Sequence, residues 1–281
     1  MKLSLFLILL INSAFVFAQH STKKVIVEGN GLPVVMLNGG TSDMSVFAAH
    51  SKALSPRYMV IRMQQFNIEY ANENSLLPKN YSVHMESEAI KFTLDSLHIK
   101  QPVVLVGHSY GALIALDFAL NHPGKLRSLV LIEPPLFQLA EAKKESPAGM
   151  KRMQELTKQF TPQATITEDM VKQFRCELMN CDSMDITRLP LWKTWIEQKN
   201  RLRGLSAVSY YKTDLRKLHQ FRKPVLIVTG TQTVPMHKRI DELLASEFPM
   251  TKTAALKGGH TAVNTNASEF AGILFKFLGN K

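Results

Sequence analysis

The sequence predicts an α/β fold: a doubly wound, mostly parallel sheet with helices on both faces and an inserted helical cap. Three observations carry that prediction. Short apolar, β-branched runs such as Val103-Val104-Leu105-Val106 read as strands buried on both faces. Between such runs lie stretches with apolar residues at helical spacing, so strand and helix alternate along the chain. From Leu136 to Lys212 the alternation stops, leaving charged helical segments, both cysteines and both tryptophans, without a strand pattern.

Met1 to Phe17 carries one lysine and then an apolar stretch, and Ala18 puts a small residue before Gln19, the pattern of a secretory signal peptide over residues 1–18. About fifteen apolar residues are short for a membrane span, and nothing after Gln19 is long and apolar enough to be one. The expectation is a soluble exported product, periplasmic or secreted. Its core is expected from residues 19–135 and 213–281, with the cap over residues 136–212.

Val25 to Val27, Pro33 to Leu37 and Tyr58 to Met63 follow as three strands separated by turn-forming residues. The second runs into Asn38-Gly39-Gly40-Thr41, where paired glycines leave backbone N–H groups at the carboxyl edge of the sheet. Tyr81 to Leu97 has a helical apolar pattern and leads into the strand at Val103. Within G-H-S-Y-G that strand gives way to a helix with Ala112, Leu113, Ala115, Leu116 and Ala119 on its apolar positions, closed by His122-Pro123-Gly124. Ser109 stands at the apex of the turn. Gly107 and Gly111 let strand and helix nearly touch there, and the helix start offers unpaired N–H groups and a positive dipole end. Ser109 therefore reads as a nucleophile, with the Gly40 and Tyr110 amides as donors to a developing oxyanion.

Leu126 to Ile132 is the next strand and ends at Glu133-Pro134-Pro135. Met150 to Phe160 and Glu168 to Met179 read as cap helices. Beyond the cap, Pro224 to Thr229 is a strand, Pro235 to Phe248 a helix and Thr251 to Leu256 the last strand. Gly258-Gly259-His260-Thr261 then forms a glycine loop before a helix ending near Leu278.

The segments V-V-L-V-G-H-S-Y-G-A-L-I-A-L-D-F-A, L-R-S-L-V-L-I-E-P-P, P-V-L-I-V-T-G and K-G-G-H together resemble the α/β-hydrolase fold superfamily, over nearly all of the chain after residue 18. The resemblance implies a cap between the sixth and seventh strands of that fold. It also implies acyl transfer by Ser109, with His260 as base and a carboxylate orienting the histidine. Asn38-Gly39-Gly40 resembles the family's His-Gly-Gly oxyanion loop with asparagine in place of histidine. The family's usual aspartate after the strand Pro224 to Thr229 is missing, since Gly230 leads to Thr231-Gln232-Thr233. Some members carry the acid after the preceding strand, which here is Glu133; Asp241, inside a helix, is the weaker candidate. His108 is expected to pack behind the turn, and His237 has no supporting context.

The formal charge of +11 suits anionic substrates or an anionic envelope surface, and equally plain solubility. Lys and Arg are scattered, so no nucleic-acid module is read. Cys176 and Cys181 are expected to form a local disulfide or remain thiols, rather than a zinc site. No metal or cofactor is required. Two functions compete: a serine hydrolase acting on a small acyl substrate (ester, lactone, amide or activated C–C bond), and a catalytically weak small-ligand binder, which the missing aspartate favours. Asn38, Gly39, Phe137, Trp192 and Trp195 are read as substrate-binding positions.

Overall fold

The computed structural model describes residues 22–179, 181 and 184–279. The expected signal peptide lies outside these residues. Seven strands form one sheet: β1 (Val25–Glu28), β2 (Leu32–Leu37), β3 (Tyr58–Met63), β4 (Val103–His108), β5 (Leu126–Ile132), β6 (Val225–Gly230) and β7 (Thr251–Leu256). Their spatial order is β1-β3-β2-β4-β5-β6-β7. Only β1 runs antiparallel, against β3.

The order reverses between β2 and β4. The chain moves outward from β2 to β3, then crosses back to lay β4 on the other side of β2. In open α/β sheets a crevice opens beyond the carboxyl ends of the strands at such a switch point. Register decides which residues stand there. Leu37 pairs with Gly107, Gly107 with Leu131, and His108 with Ile132, so Asn38, Ser109 and Glu133 leave the sheet side by side at one edge.

The alternating side chains of the strands feed two cores. Val103, Leu105, Leu129, Leu131, Val225 and Ile227 face α3 (Val83–Ser96), α4 (Tyr110–Asn121) and α11 (Pro235–Glu247). Val104, Val106, Val130, Ile132, Leu226 and Val228 face α1 (Ala48–Leu54) and the last described helix, Ala267–Leu278. Helices thus cover both faces of the sheet's centre, which is why β2, β4 and β6 read as nearly continuous apolar runs. Ser82 caps α3 by accepting from the Met85 N–H at 3.2 Å, so the helix begins one turn-residue pair later than the apolar pattern suggests.

Sequence periodicity misses α1 and α2 (Phe66–Asn72), each seven residues long and too short to show a repeat. Between β5 and β6 the described residues carry α5 (Phe137–Ala142), α6 (Met150–Lys158), α7 (Glu168–Met179), α8 (Trp192–Glu197), α9 (Ser206–Tyr210) and α10 (Arg216–Gln220), and no strand. The insertion therefore follows the fifth of seven strands here, not the sixth, because this sheet has fewer strands than the family pattern assumed. No disulfide joins Cys176 and Cys181. Cys176 sits inside α7, where side chains lean toward the helix N-terminus, away from a residue beyond its C-terminal end.

Candidate active site

Ser109 occupies φ 53°, ψ −119°, a conformation that side chains rarely adopt. Two glycines make it possible. A Cβ on Gly107 would lie 2.4 Å from the Gly111 carbonyl oxygen, and one on Gly111 would lie 2.3 Å from that of Asn38. Strand and helix backbones are thus in direct contact, and the turn between them has nowhere to relax. The Ser109 N–H donates to the Ile132 carbonyl at 2.8 Å, while its own carbonyl accepts from Ala112 and Leu113, starting α4 at once.

His260 arrives on the loop after β7. Its carbonyl accepts from His108 Nε2 at 2.8 Å, so the buried histidine beside Ser109 pins the loop that carries His260. His260 Nε2 lies 3.0 Å from Ser109 Oγ, and Nδ1 lies 2.6 Å from Glu133 Oε2. An ionised carboxylate only accepts, so Nδ1 carries the ring proton and Nε2 is left to accept from the serine. Glu133 is 1% exposed and also sits at positive φ, 50°. Its Oε1 accepts from the Gly230 N–H at 2.7 Å and its Oε2 from Thr233 Oγ1 at 2.7 Å. Burial pushes its pKa up, but the His260 hydrogen bond and charge, with the Gly230 amide, outweigh that and hold it at about 2.

Asp241 takes no part in this chain. It is buried on α11, accepts from Thr229 Oγ1 at 2.6 Å, and burial pushes its carboxyl well above the ordinary range.

Gly39 and Gly40 press on the turn from β2. A Cβ on Gly39 would fall 3.5 Å from Ser109 Cβ, and one on Gly40 would fall 3.1 Å from Tyr110 Cβ. Among the described hydrogen bonds, neither the Gly40 nor the Tyr110 N–H has an acceptor. Asn38 is placed differently from expectation. It is fully buried, its Nδ2 donates to the Gly39 and Ser42 carbonyls, and its own carbonyl accepts from Gln65 Nε2, so it shapes the loop instead of facing a ligand.

The turn opens into a cavity of about 70 Å³. Phe137, Met153, Phe174 and Leu205 from the insertion roof it, with Gly39, Gly40 and Tyr110 at its floor. Trp192 and Trp195 do not line it. Both pack half-buried against the core, and the Trp195 ring lies 4.7 Å from the Arg175 guanidinium.

Two lining residues escaped the sequence reading. His237 stacks on His260 with ring centroids 4.1 Å apart and planes at 12°, and both its ring nitrogens are buried without partners. No spacing rule signals it, because the contact joins the first turn of α11 to the loop after β7. Burial holds its pKa down at about 3, so it is a neutral plate against the His260 ring. Glu133, His237 and His260 gather donor atoms within 4.8 Å. A shared cation would have to lie in both ring planes, which near-parallel stacked rings do not allow, and Glu133 already accepts three hydrogen bonds. Arg175 did leave a signal: it falls at helical spacing among Val171, Phe174 and Leu178.

A doubly wound sheet with a tight strand-to-helix turn at its switch point and a histidine on the last loop defines the hydrolase class of α/β proteins. The chain belongs to the alpha/beta hydrolase fold family, whose model matches residues 33–267. It is similar to a cis-3-alkyl-4-alkyloxetan-2-one decarboxylase of Shewanella oneidensis, 26% identical over 41% of this chain and 36% of that protein. It is 32% identical to a pimeloyl-[acyl-carrier protein] methyl ester esterase of Chromobacterium violaceum over 37% of each. The chain thus matches less than two fifths of the length of these curated relatives. An enol-lactonase of Burkholderia xenovorans superposes with a TM-score of 0.63 over 91% of this chain and 95% of that one, and at 18% identity the likeness is one of fold.

Proposed function

We propose that the protein is a serine hydrolase in which Ser109 attacks an acyl carbon of a small ester, lactone, amide or activated C–C substrate. The observation that carries the reading is the unbroken hydrogen-bonded series from Ser109 Oγ through His260 to Glu133. On attack, Oγ passes its proton to Nε2, and the imidazolium is steadied by Glu133. The oxyanion is met by the Gly40 and Tyr110 amides, the latter at the positive end of α4. Nε2 then protonates the leaving group, and water, deprotonated in turn by His260, releases the acyl group from Ser109. The ligand-binder reading rested on the missing aspartate, and a buried glutamate in contact with His260 removes its motive.

Residues 136–212 act as a cap that closes the acyl pocket over the sheet. A fluorophosphonate tests the proposal, since only an activated serine attacks phosphorus quickly. One adduct on Ser109, lost in Ser109→Ala, is expected; folded protein of unchanged intact mass would refute it.

Export belongs to the same proposal. It rests on the charged start, apolar run and small residue of Met1 to Ala18. Among the described residues no helix is long and apolar enough to cross a membrane. Protein recovered from the periplasm or medium should begin at Gln19, and retention of Met1 would contradict export by cleavage.

A further inference from the structure

Helix α7 turns Val171, Phe174, Arg175 and Leu178 inward, the spacing of an apolar stripe with one member replaced by a cation. Arg175 lines the same cavity as Ser109. Its Nε is shut from solvent and has no acceptor. Burial lowers its pKa to about 10, with no carboxylate beside it to oppose the shift. The guanidinium lies 4.7 Å from the Trp195 ring centroid and 5.9 Å from that of Phe174. These rings lie against the fork and supply no hydrogen-bond acceptor for the buried Nε–H.

Among the described lining residues there is no Asp or Glu, and no Lys or Arg besides Arg175. A cation drawn into such a cavity is costly unless something anionic joins it, and a purely structural position in this stripe would be served by leucine. We infer that Arg175 recognises a carboxylate on the substrate, so that the protein acts on short acyl compounds bearing one carboxylate close to the scissile bond. The inference rests on the hydrolase proposal and adds the substrate class to it. A planar fork suits a carboxylate's two oxygens. A phosphate dianion would bring twice the charge of the one cation present and leave the excess buried. The chain's charge of +11 favours approach of such anions.

The test separates the two ideas. Binding of butanoate and of its neutral isostere butanamide is measured by ligand-observed NMR on the full protein, Arg175→Met and Arg175→Lys, alongside fluorophosphonate labelling of Ser109. Butanoate should bind about 10- to 100-fold more tightly than butanamide, the range of a hydrogen-bonded charge. Arg175→Met should erase the preference, and Arg175→Lys should keep only part of it. Equal binding of the two ligands by the unaltered protein overturns the inference, as does a preference that survives Arg175→Met. Inorganic phosphate displacing butanoate at lower concentration overturns the carboxylate assignment. A merely structural arginine would weaken both ligands together and leave their ratio intact. Labelled Ser109 without a butanoate preference sinks the inference alone, whereas a butanoate preference without labelling sinks the hydrolase proposal and leaves the anion site standing.

Discussion

Thr233 Oγ1 donates a 2.7 Å hydrogen bond to Glu133 Oε2, the same oxygen that lies 2.6 Å from His260 Nδ1. Thr233 stands after β6, where the α/β-hydrolase resemblance would place an aspartate. The negative charge comes instead from the end of β5, one strand nearer the serine, and the β6 loop contributes neutral donors from Thr233 and Gly230. Two adjacent strand ends thus converge on one carboxylate, and the longer side chain of glutamate spans the extra distance.

Glu133→Gln should fold and bind substrate yet lower kcat by up to about 10⁴-fold, because the imidazolium loses its counter-charge. Thr233→Ala leaves the carboxylate in place and should cost about 10-fold, the loss of one hydrogen bond to a charged group. Adding Thr233→Asp to Glu133→Gln should recover at least about 10-fold by restoring a charge to the β6 loop. Steady-state kinetics on a short nitrophenyl ester decide the matter. Near-normal turnover by Glu133→Gln would make Glu133 structural.

Stability should fall steeply in mild acid. Burial holds His50 at about 4 and His108 and His237 at about 3, each below the roughly 6.5 of an unfolded histidine. The unfolded chain therefore takes up these protons first, so stability is intact above pH ~6.5 and is lost as pH drops toward the folded values. Three such groups give a slope of up to about 4 kcal/mol per pH unit. Glu133, held at about 2, adds a further loss only below the ordinary carboxylate range. Urea titrations from pH 7 to 4 would show this, and His50→Gln, which can keep the bond to the Val263 carbonyl, should flatten the slope by about a third. A flat profile between pH 7 and 5 would contradict the buried neutral state.

Behind the turn, Tyr110 donates to Tyr81 at 3.0 Å, Tyr81 donates to Glu86 at 2.6 Å, and Glu86 pairs with Lys23. Lys23 and Glu86 are both fully shielded from solvent. Lys23→Met should cost about 3–5 kcal/mol, since it strands a buried carboxylate, while the double change Lys23→Met with Glu86→Gln should recover part of the loss. Denaturant midpoints at neutral pH measure both. A Lys23→Met protein as stable as the parent would show that the pair contributes nothing.

Local chemistry determined what the sequence could show alone. The central strands are visible because both sheet faces are covered there, which forces apolar runs, whereas the edge strands β1 and β7 are partly exposed and show only as short segments between turn-forming residues. The turn at Ser109 is visible because only glycines at 107 and 111 let β4 and α4 touch, and both lie within four residues. Glu133 and His260 could be named through the resemblance to α/β-hydrolases, whose parallel sheet brings these strand ends to one edge. Tertiary structure decided the rest. His237 meets His260 only through the packing of α11 against the loop after β7, and Asn38 is held in the interior, where its backbone carbonyl accepts from Gln65 Nε2. Trp195 backs Arg175 instead of lining the cavity. These contacts join residues far apart in the chain, and no period of 2 or 3.6 residues encodes which side chains the final packing will set face to face.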